Sequence, residues 1–148
     1  MDHTSPEIRD LFLRGHELWG TGSFADFIQM MHEDILYIVN VDGQQVPYAM
    51  SAVGREDLRD RFELLLRTFN VTHFELLSIY PEIQHITSHV HGIYHHKATG
   101  EILDVKVRFR AWFDTDRMIT RLEEIHDARY VEAFERFVFF IESASKEG

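Results

Sequence analysis

The hydrophobic residues at the start of the chain recur at helical spacing. The motif Thr4-Ser5-Pro6-Glu7 has the form of a capping box, and it precedes an apolar stripe of Ile8, Leu11, Phe12 and Leu18. This helix is predicted to end near Gly20. Ser23 can cap a second, short helix with a stripe of Phe24, Phe27, Ile28 and Met31. The two helices are predicted to form a hairpin.

The next segment changes to the pattern of a strand. Residues 35–41 are rich in β-branched and aromatic side chains and stop at Asp42-Gly43, a pair typical of turns. Residues 44–53 are ambiguous, with a short strand around residues 48–50 as one interpretation. Gly54 and the acidic pair Glu56-Asp57 then open a helix with a buried stripe of Leu58, Phe62, Leu65 and Phe69.

Four strand-like runs follow in succession, at residues 71–80, 84–96, 101–113 and 118–126. They are separated by Pro81, residues 98–100 and residues 114–116. Because consecutive strands with short turns pair with each other, we expect an antiparallel meander. The chain closes with a helix from Tyr130 to Ser143, whose apolar face carries Tyr130, Phe134, Phe137, Val138 and Ile141. The whole pattern predicts a single α+β domain over residues 1–148.

Composition narrows the class of protein. The 148 residues include 45% hydrophobic side chains, enough for one sizeable core. The net charge of -10 would repel phosphate backbones and anionic lipid, so we expect neither nucleic acid nor membrane as a partner. There is no cysteine, which favours a cytoplasmic location. The polar amino terminus is not typical of a signal peptide, and we expect a soluble protein.

Three stretches together carry a family pattern. Residues 22–34 begin with Gly-Ser-Phe and end with His-Glu-Asp, residues 53–56 read Val-Gly-Arg-Glu, and residues 116–127 run from Asp-Arg-Met-Ile to Glu-Ile-His-Asp. In this order and spacing the chain resembles the nuclear transport factor 2-like superfamily, which includes ketosteroid isomerases, limonene epoxide hydrolase and SnoaL-like polyketide cyclases. The resemblance implies a cone-like curved antiparallel sheet wrapped by N-terminal helices, with an additional C-terminal helix. It also implies an apolar pocket and a homodimer.

The same resemblance argues against one known activity of the superfamily. The tyrosine, the proton-shuttling aspartate and the oxyanion-binding acid of the isomerases fall on Gly15, Val39 and Phe109 of this chain. All three groups are absent. We therefore do not expect steroid isomerisation by that mechanism.

Alternation in the strand at residues 101–113 separates two faces. Apolar side chains are predicted to line the pocket, namely Val105, Val107, Phe109, Ala111 and Phe113. The opposite face carries Lys106, Arg108, Arg110 and Trp112. We interpret this cationic row as a solvated or subunit-contact face, neutralised by Glu75 or Glu123.

Histidines are frequent in the preceding strand-like run. His89 and His91 project from the same face, as a strand-borne metal site would require. No glutamate follows at the spacing of such a site, and the predicted hairpin register places His89, His91 and His95 outside the pocket. We predict no bound metal and no other cofactor.

The last strand is the best candidate for chemistry. The family spacing turns Leu122, Glu124 and His126 toward the pocket, and an acid beside an imidazole suits proton transfer near pH 7. The alternative is that Glu124 only satisfies a buried partner, such as the Tyr37 hydroxyl, while His126 fills the pocket floor. Asp127 is either a further acid/base or, as the plainer interpretation, the N-cap of the final helix.

These observations give two hypotheses of function. The first is a cofactor-independent isomerase, cyclase, dehydratase or hydrolase that acts on a small apolar or aromatic molecule. His126 would be the base, Glu124 would orient it, and Tyr94 or Tyr37 would donate a hydrogen bond to developing negative charge. The second is a non-catalytic ligand-binding or dimerisation module. In both, the predicted ligand contacts are Trp19, Phe27, Met31, Tyr37, Phe62, Val90, Phe109 and Phe113.

Overall fold

The computed structural model describes residues 2–147, with side chains described through residue 143. The helices are α1 (Pro6–Gly20), α2 (Phe24–Gln29), α3 (Arg55–Thr68) and α4 (Ala128–Glu147). The strands are β1 (Met31–Val39), β2 (Ala52–Val53), β3 (Phe69–Pro81), β4 (Ile86–His96), β5 (Ile102–Phe113) and β6 (Ile119–His126). Two short 3₁₀ turns, Asp42–Gln44 and Pro47–Ala49, lie between β1 and β2.

The six strands form one open, curved sheet in the order β2-β1-β6-β5-β4-β3. Strands β3 to β6 make the predicted antiparallel meander, and the α+β fold class is confirmed. Strand β1, however, pairs parallel with β6, so the sheet is mixed. A parallel pair needs a long connection between its strands, and here α3 and the whole meander supply it. Local sequence patterns indicate pairs between neighbouring strands only, which is why this pair was not predicted.

The N-cap of α1 and both ends of α2 differ from the sequence prediction. Ser5, rather than Thr4, caps α1, because its hydroxyl accepts a hydrogen bond from the Ile8 amide at 3.3 Å. Thr4 instead donates its hydroxyl hydrogen to Asp2. Ser23 precedes α2 but makes no side-chain cap bond, and Met31 begins β1 instead of extending the helix.

Backbone geometry sets the start of α3. Gly54 has a φ of 95°, a region that favours glycine, and its amide donates to the Ile35 carbonyl at 2.7 Å. The short strand lies at Ala52–Val53, not around residues 48–50 as predicted. Leu58 and Phe62 of α3 are buried as expected, whereas Phe69 is the first residue of β3. Helix α3 then packs against β1, β2 and β3.

The core lies between the inner face of the sheet and the helices. The β4–β5 register places Val90 opposite Val107, and the β5–β6 register places Phe109 opposite Glu124. Inner-face side chains therefore follow the predicted alternation. Among residues 2–147, none of the helices combines the length and the apolar character that a membrane-spanning segment needs.

Candidate functional site

The cavity between the helices and the sheet has two adjoining chambers. The first, which we call the helix chamber, lies between α1, α2, α3 and the inner face of the sheet. The second, which we call the tyrosine chamber, is lined by Tyr37, Tyr48, Tyr94 and Tyr130 among other residues. Five side chains line both chambers and separate them: Leu65, Phe74, Tyr94, Phe109 and Glu124.

The size of the chambers limits what they hold. Each chamber has a volume of about 60 Å³, counted as the space open to the centre of a water-sized sphere. One water molecule needs roughly 10–15 Å³ counted in the same way, so each chamber accepts only a few groups of that size. A ligand larger than that must extend through the partition or displace side chains.

Glu124 and His126 lie next to each other on the inner face of β6. The His126 Nε2 atom is 3.0 Å from the Glu124 carboxylate, and the His126 side chain is 5% exposed. Glu124 lines both chambers, and His126 lines the tyrosine chamber. The predicted orientation of this pair into the cavity is therefore confirmed, while its catalytic role stays a prediction.

The tautomer of His126 follows from its neighbours. A carboxylate oxygen can only accept a hydrogen bond, so Nε2 of the neutral ring carries the hydrogen. The Nδ1 atom is buried and has no hydrogen-bond partner among the residues that the structure describes. The ring also stacks on Tyr130, with centroids 4.3 Å apart. His126 thus presents a fixed ring with an unpaired lone pair on Nδ1.

Asn40 holds the end of β6 in place. Its side-chain amide donates to the His126 carbonyl at 2.7 Å, and its carbonyl oxygen accepts from the His126 amide at 2.8 Å. This two-point contact fixes the backbone from which the imidazole projects. Asn40 is a positioning residue that the sequence pattern did not reveal, since it lies 86 positions away from its partner.

Three phenols lie near the Glu124 carboxylate, of which that of Tyr37 is buried and those of Tyr94 and Tyr130 are partly buried. Burial, with the Glu124 charge and its hydrogen bond in addition, raises the pKa of Tyr37 well above its usual value. Burial and then the same charge raise the pKa of Tyr94 and of Tyr130. These hydroxyls therefore stay protonated and act as hydrogen-bond donors. The contact between Tyr37 and Glu124 also matches the alternative in which the carboxylate satisfies a buried partner.

The Tyr94 hydroxyl differs from that of Tyr37 because its hydrogen can be donated to a ligand. The indole nitrogen of Trp19 donates to the Tyr94 oxygen at 3.4 Å. The Tyr94 hydroxyl hydrogen is not used in that contact. Because Tyr94 lines both chambers, it is well placed to donate to a ligand in either.

A second histidine, His16 on α1, lies in the wall of the helix chamber. Its Nδ1 is 2.7 Å from the Phe12 carbonyl, and its Nε2 is 2.7 Å from the hydroxyl of Ser88, which is fully buried on β4. The carbonyl only accepts, so Nδ1 carries the hydrogen and Nε2 accepts from the serine. No local sequence pattern predicts this pair, because its members are 72 positions apart.

His16 should make the stability of the fold depend on pH. Burial lowers the pKa of His16, so acid protonates the unfolded chain before the folded one. This contribution to stability is present above about pH 6.5 and is lost as the pH falls below it. We expect the urea midpoint to fall more steeply between pH 7.5 and pH 5.5 in the wild type than in His16→Gln. Equal slopes in the two proteins would contradict the assignment.

The structure brings most of the predicted site residues to the cavity. Trp19, Phe27, Met31 and Phe62 line the helix chamber, Tyr37 and Val90 line the tyrosine chamber, and Tyr94 and Phe109 line both.

Two predicted site residues lie outside both chambers. Phe113 is on the inner face but beyond the cavity, where its amide donates to the His3 ring at 2.8 Å. Asp127 is exposed and caps α4 by accepting from the Tyr130 amide at 2.8 Å. The plainer interpretation of Asp127 is therefore confirmed, because its carboxylate is turned to the start of the helix.

The cationic row of β5 lies on the outer face as predicted. Arg110 lies 3.7 Å from Glu123, and Trp112 packs under the Arg121 guanidinium. These contacts are polar surface interactions and do not belong to the cavity.

Comparisons with known proteins agree with this architecture. The chain matches the profile of the SnoaL-like domain over residues 12–122. No curated protein is significantly similar to it. A protein described as an isomerase from Bacillus subtilis has a TM-score of 0.71 and 12% identity, covering 85% of this chain and 91% of that one.

Two further solved structures have the same fold. TerC, co-crystallized with polyporic acid, has a TM-score of 0.70 and 13% identity, covering 90% of this chain and 98% of that one. A protein described as a SnoaL-like polyketide cyclase from Mesorhizobium loti has a TM-score of 0.66 and 19% identity, covering 79% of this chain and 97% of that one. At such low identity the likeness shows the fold alone.

Proposed function

Since this chain belongs to the SnoaL-like domain family, we propose that its cavity binds a small, uncharged apolar or aromatic molecule and that His126 takes a proton from it. The observation that supports the proposal is the buried, unpaired Nδ1 atom of His126, whose ring is held by Glu124 at Nε2. A general base needs such a lone pair in a fixed ring, and a carboxylate on the other nitrogen stabilises the imidazolium that forms.

The proposed proton transfer uses three side chains. The ligand proton moves to Nδ1 of His126, and the negative charge left on the ligand receives a hydrogen bond from Tyr94. The Glu124 carboxylate, 3.0 Å from Nε2, balances the charge on the imidazolium. Isomerisation, cyclisation and dehydration can all begin with such a step and need no cofactor, whereas in a hydrolysis the same base would take its proton from the attacking water. Isomerase and polyketide cyclase are also the activities in the names of two relatives of the same fold.

The charge of the cavity favours a neutral ligand. The side chains lining the helix chamber are mainly aliphatic or aromatic, and Glu124 is the acidic group in its wall. An anionic ligand would lose its hydration and meet the Glu124 carboxylate at short range. We therefore propose that neutral molecules bind in preference to carboxylates of the same shape.

A second candidate function is binding without catalysis. Glu124 already contacts Tyr37 and His126, so its charge can be purely structural. Proton exchange at a bound ligand, catalysed by the protein, would distinguish an enzyme from such a module. The homodimer, the cytoplasmic location and the exclusion of nucleic acid, membrane and cofactor all stay predictions.

A thermal-shift screen tests the ligand class. A ligand present at 100 times its Kd stabilises the folded state by about 2.7 kcal/mol, which raises Tm by several degrees. We expect neutral apolar and aromatic compounds to raise the Tm of the wild type, and matched carboxylates to raise it less. The screen should include polyporic acid, because TerC was crystallised with it.

Two variants test which side chains determine the ligand preference in this screen. Glu124→Gln removes the repulsive charge and should reduce the preference for neutral over anionic compounds. His126→Ala removes the proposed polar contact and should lower the shift given by ligands with an acidic proton. An absence of any shift across the screen would overturn the proposal of a ligand-binding cavity.

A further inference from the structure

We propose that the outer face of the sheet carries a binding site for a divalent transition-metal ion, with Zn²⁺ as the expected occupant. Its ligands are His73 and Glu75 of β3 and His91 of β4, which we call the outer-face triad. Their ligating atoms all lie within 4.8 Å of one another. The site is on the opposite face of the sheet from the cavity, so the proposal of a metal site does not depend on the proposed function.

Strand geometry brings the three side chains together. Phe74 points into the cavity, so its neighbours His73 and Glu75 project from the outer face. Glu75 is the register partner of His91, and the rings of His73 and His91 have centroids 5.1 Å apart. A bulge between Val71 and His73 shifts the register beside the triad. Two adjacent strands of a sheet thus supply all three ligands.

The donor set suits zinc better than calcium or magnesium. Imidazole nitrogen is a preferred ligand of zinc, copper and nickel, whereas calcium and magnesium bind oxygen. Bonds of about 2.0–2.2 Å in a tetrahedral site place neighbouring ligand atoms roughly 3.4 Å apart. Small rotations of the His73 and Glu75 side chains close the difference from the observed spacing. Two histidines and one carboxylate leave a fourth position for water.

Asp104 orients one of the ligands. Its carboxylate lies 2.7 Å from the Nε2 atom of His91. While Nε2 keeps this hydrogen bond, Nδ1 is the nitrogen left for the ion. A carboxylate on the free ring nitrogen of a metal-bound histidine fixes the ring and strengthens the ligand. Asp104 therefore acts as a positioning residue for the site.

One nearby charge opposes a bound metal ion, and the net charge of the chain favours it. Lys106 of β5 is the register partner of His91, and its ammonium opposes a bound cation. Lys106 is exposed, so its long side chain can keep the charge in solvent. The net charge of -10 on the chain favours cation binding overall. Removing the Lys106 charge should strengthen binding.

Isothermal titration of the full chain, without a histidine tag, with Zn²⁺ tests the proposal. We expect one saturable site, and we expect His73→Ala, Glu75→Gln and His91→Ala each to lower its affinity by at least about ten-fold. The matched control is His89→Ala, which removes a histidine from the same strand and face as His91 but outside the triad. Its affinity should stay within about two-fold of the wild type. Lys106→Ala should bind more tightly.

Circular dichroism shows whether each variant folds, and anomalous scattering at the zinc edge shows where the ion lies. Zinc should raise the Tm of the wild type and raise that of folded His73→Ala less at the same concentration, because the stabilisation follows the affinity for the bound ion. Three results would overturn the proposal: no saturable binding, equal losses in His89→Ala and His91→Ala, or an anomalous peak away from the triad.

Discussion

Replacing His126 with glutamine should slow proton exchange at a bound ligand by about 10²–10⁴-fold, the usual contribution of a positioned general base. The wild-type ring has an unpaired Nδ1 facing no protein donor among the described residues, and Glu124 holds its other nitrogen. Glutamine keeps a polar side chain at this position but cannot take up a proton near pH 7. The rate is measured by NMR as deuterium replaces an acidic C–H of a ligand found in the screen.

Two further variants identify the source of any loss. Glu124→Gln should retain the imidazole but lose the charge that stabilises its protonated form, so we expect a smaller decrease than for His126→Gln. His95→Gln, on the outer face of β4, is the matched control and should exchange at the wild-type rate. Ligand binding with no enzyme-dependent exchange in the wild type would favour the non-catalytic module and reject the proposed base.

Phe62→Ala should destabilise the protein by about 3–5 kcal/mol, as expected for the removal of a buried phenylalanine. Phe62 is 6% exposed and its ring lies 5.3 Å from that of Trp19 and 5.2 Å from that of Tyr37. The truncation removes these contacts and enlarges the helix chamber. Urea denaturation measures the loss in free energy of unfolding, provided that the dependence of this free energy on urea concentration is the same in both proteins.

The matched control is Phe139→Ala on α4, where the side chain is 72% exposed. We expect a change within about 0.5 kcal/mol for this variant. A small aromatic compound such as benzene should restore part of the stability of Phe62→Ala and should do less for Phe139→Ala, because only the first variant opens apolar space. Equal costs for the two substitutions would contradict the position of Phe62 in the cavity wall.

The sequence predicted the cavity wall well where strand alternation decides it. Side chains in a strand alternate with a period of two, and short turns set the register of β4, β5 and β6. Alternation assigned Phe109 and Phe113 to the inner face, and the spacing of the resembled family assigned Glu124 and His126 to it. Phe113 lies on that face but outside the cavity, because alternation carries no information on where a cavity ends along a strand.

The contacts that were not predicted join distant parts of the chain. The pairs His16–Ser88 and Asn40–His126 cross from α1 or the end of β1 to strands far along the sequence. The outer-face triad was missed for a related reason. Alternation along β4 places His89 and His91 on one face, but the observed cluster joins His91 of β4 to two residues of β3. Such contacts depend on tertiary packing, which local periodicity does not encode.

The partition between the chambers consists of side chains alone. Leu65, Phe74, Tyr94, Phe109 and Glu124 form it, and the staggered rotamers of a side chain differ without a change in the strand that carries it. In the proposed function, the longest ligand that the cavity accepts is therefore set by a few side-chain torsion angles and not by the backbone. A single substitution at Phe109 would then exchange short ligands for long ones while Tyr94, Glu124 and His126 stay in place.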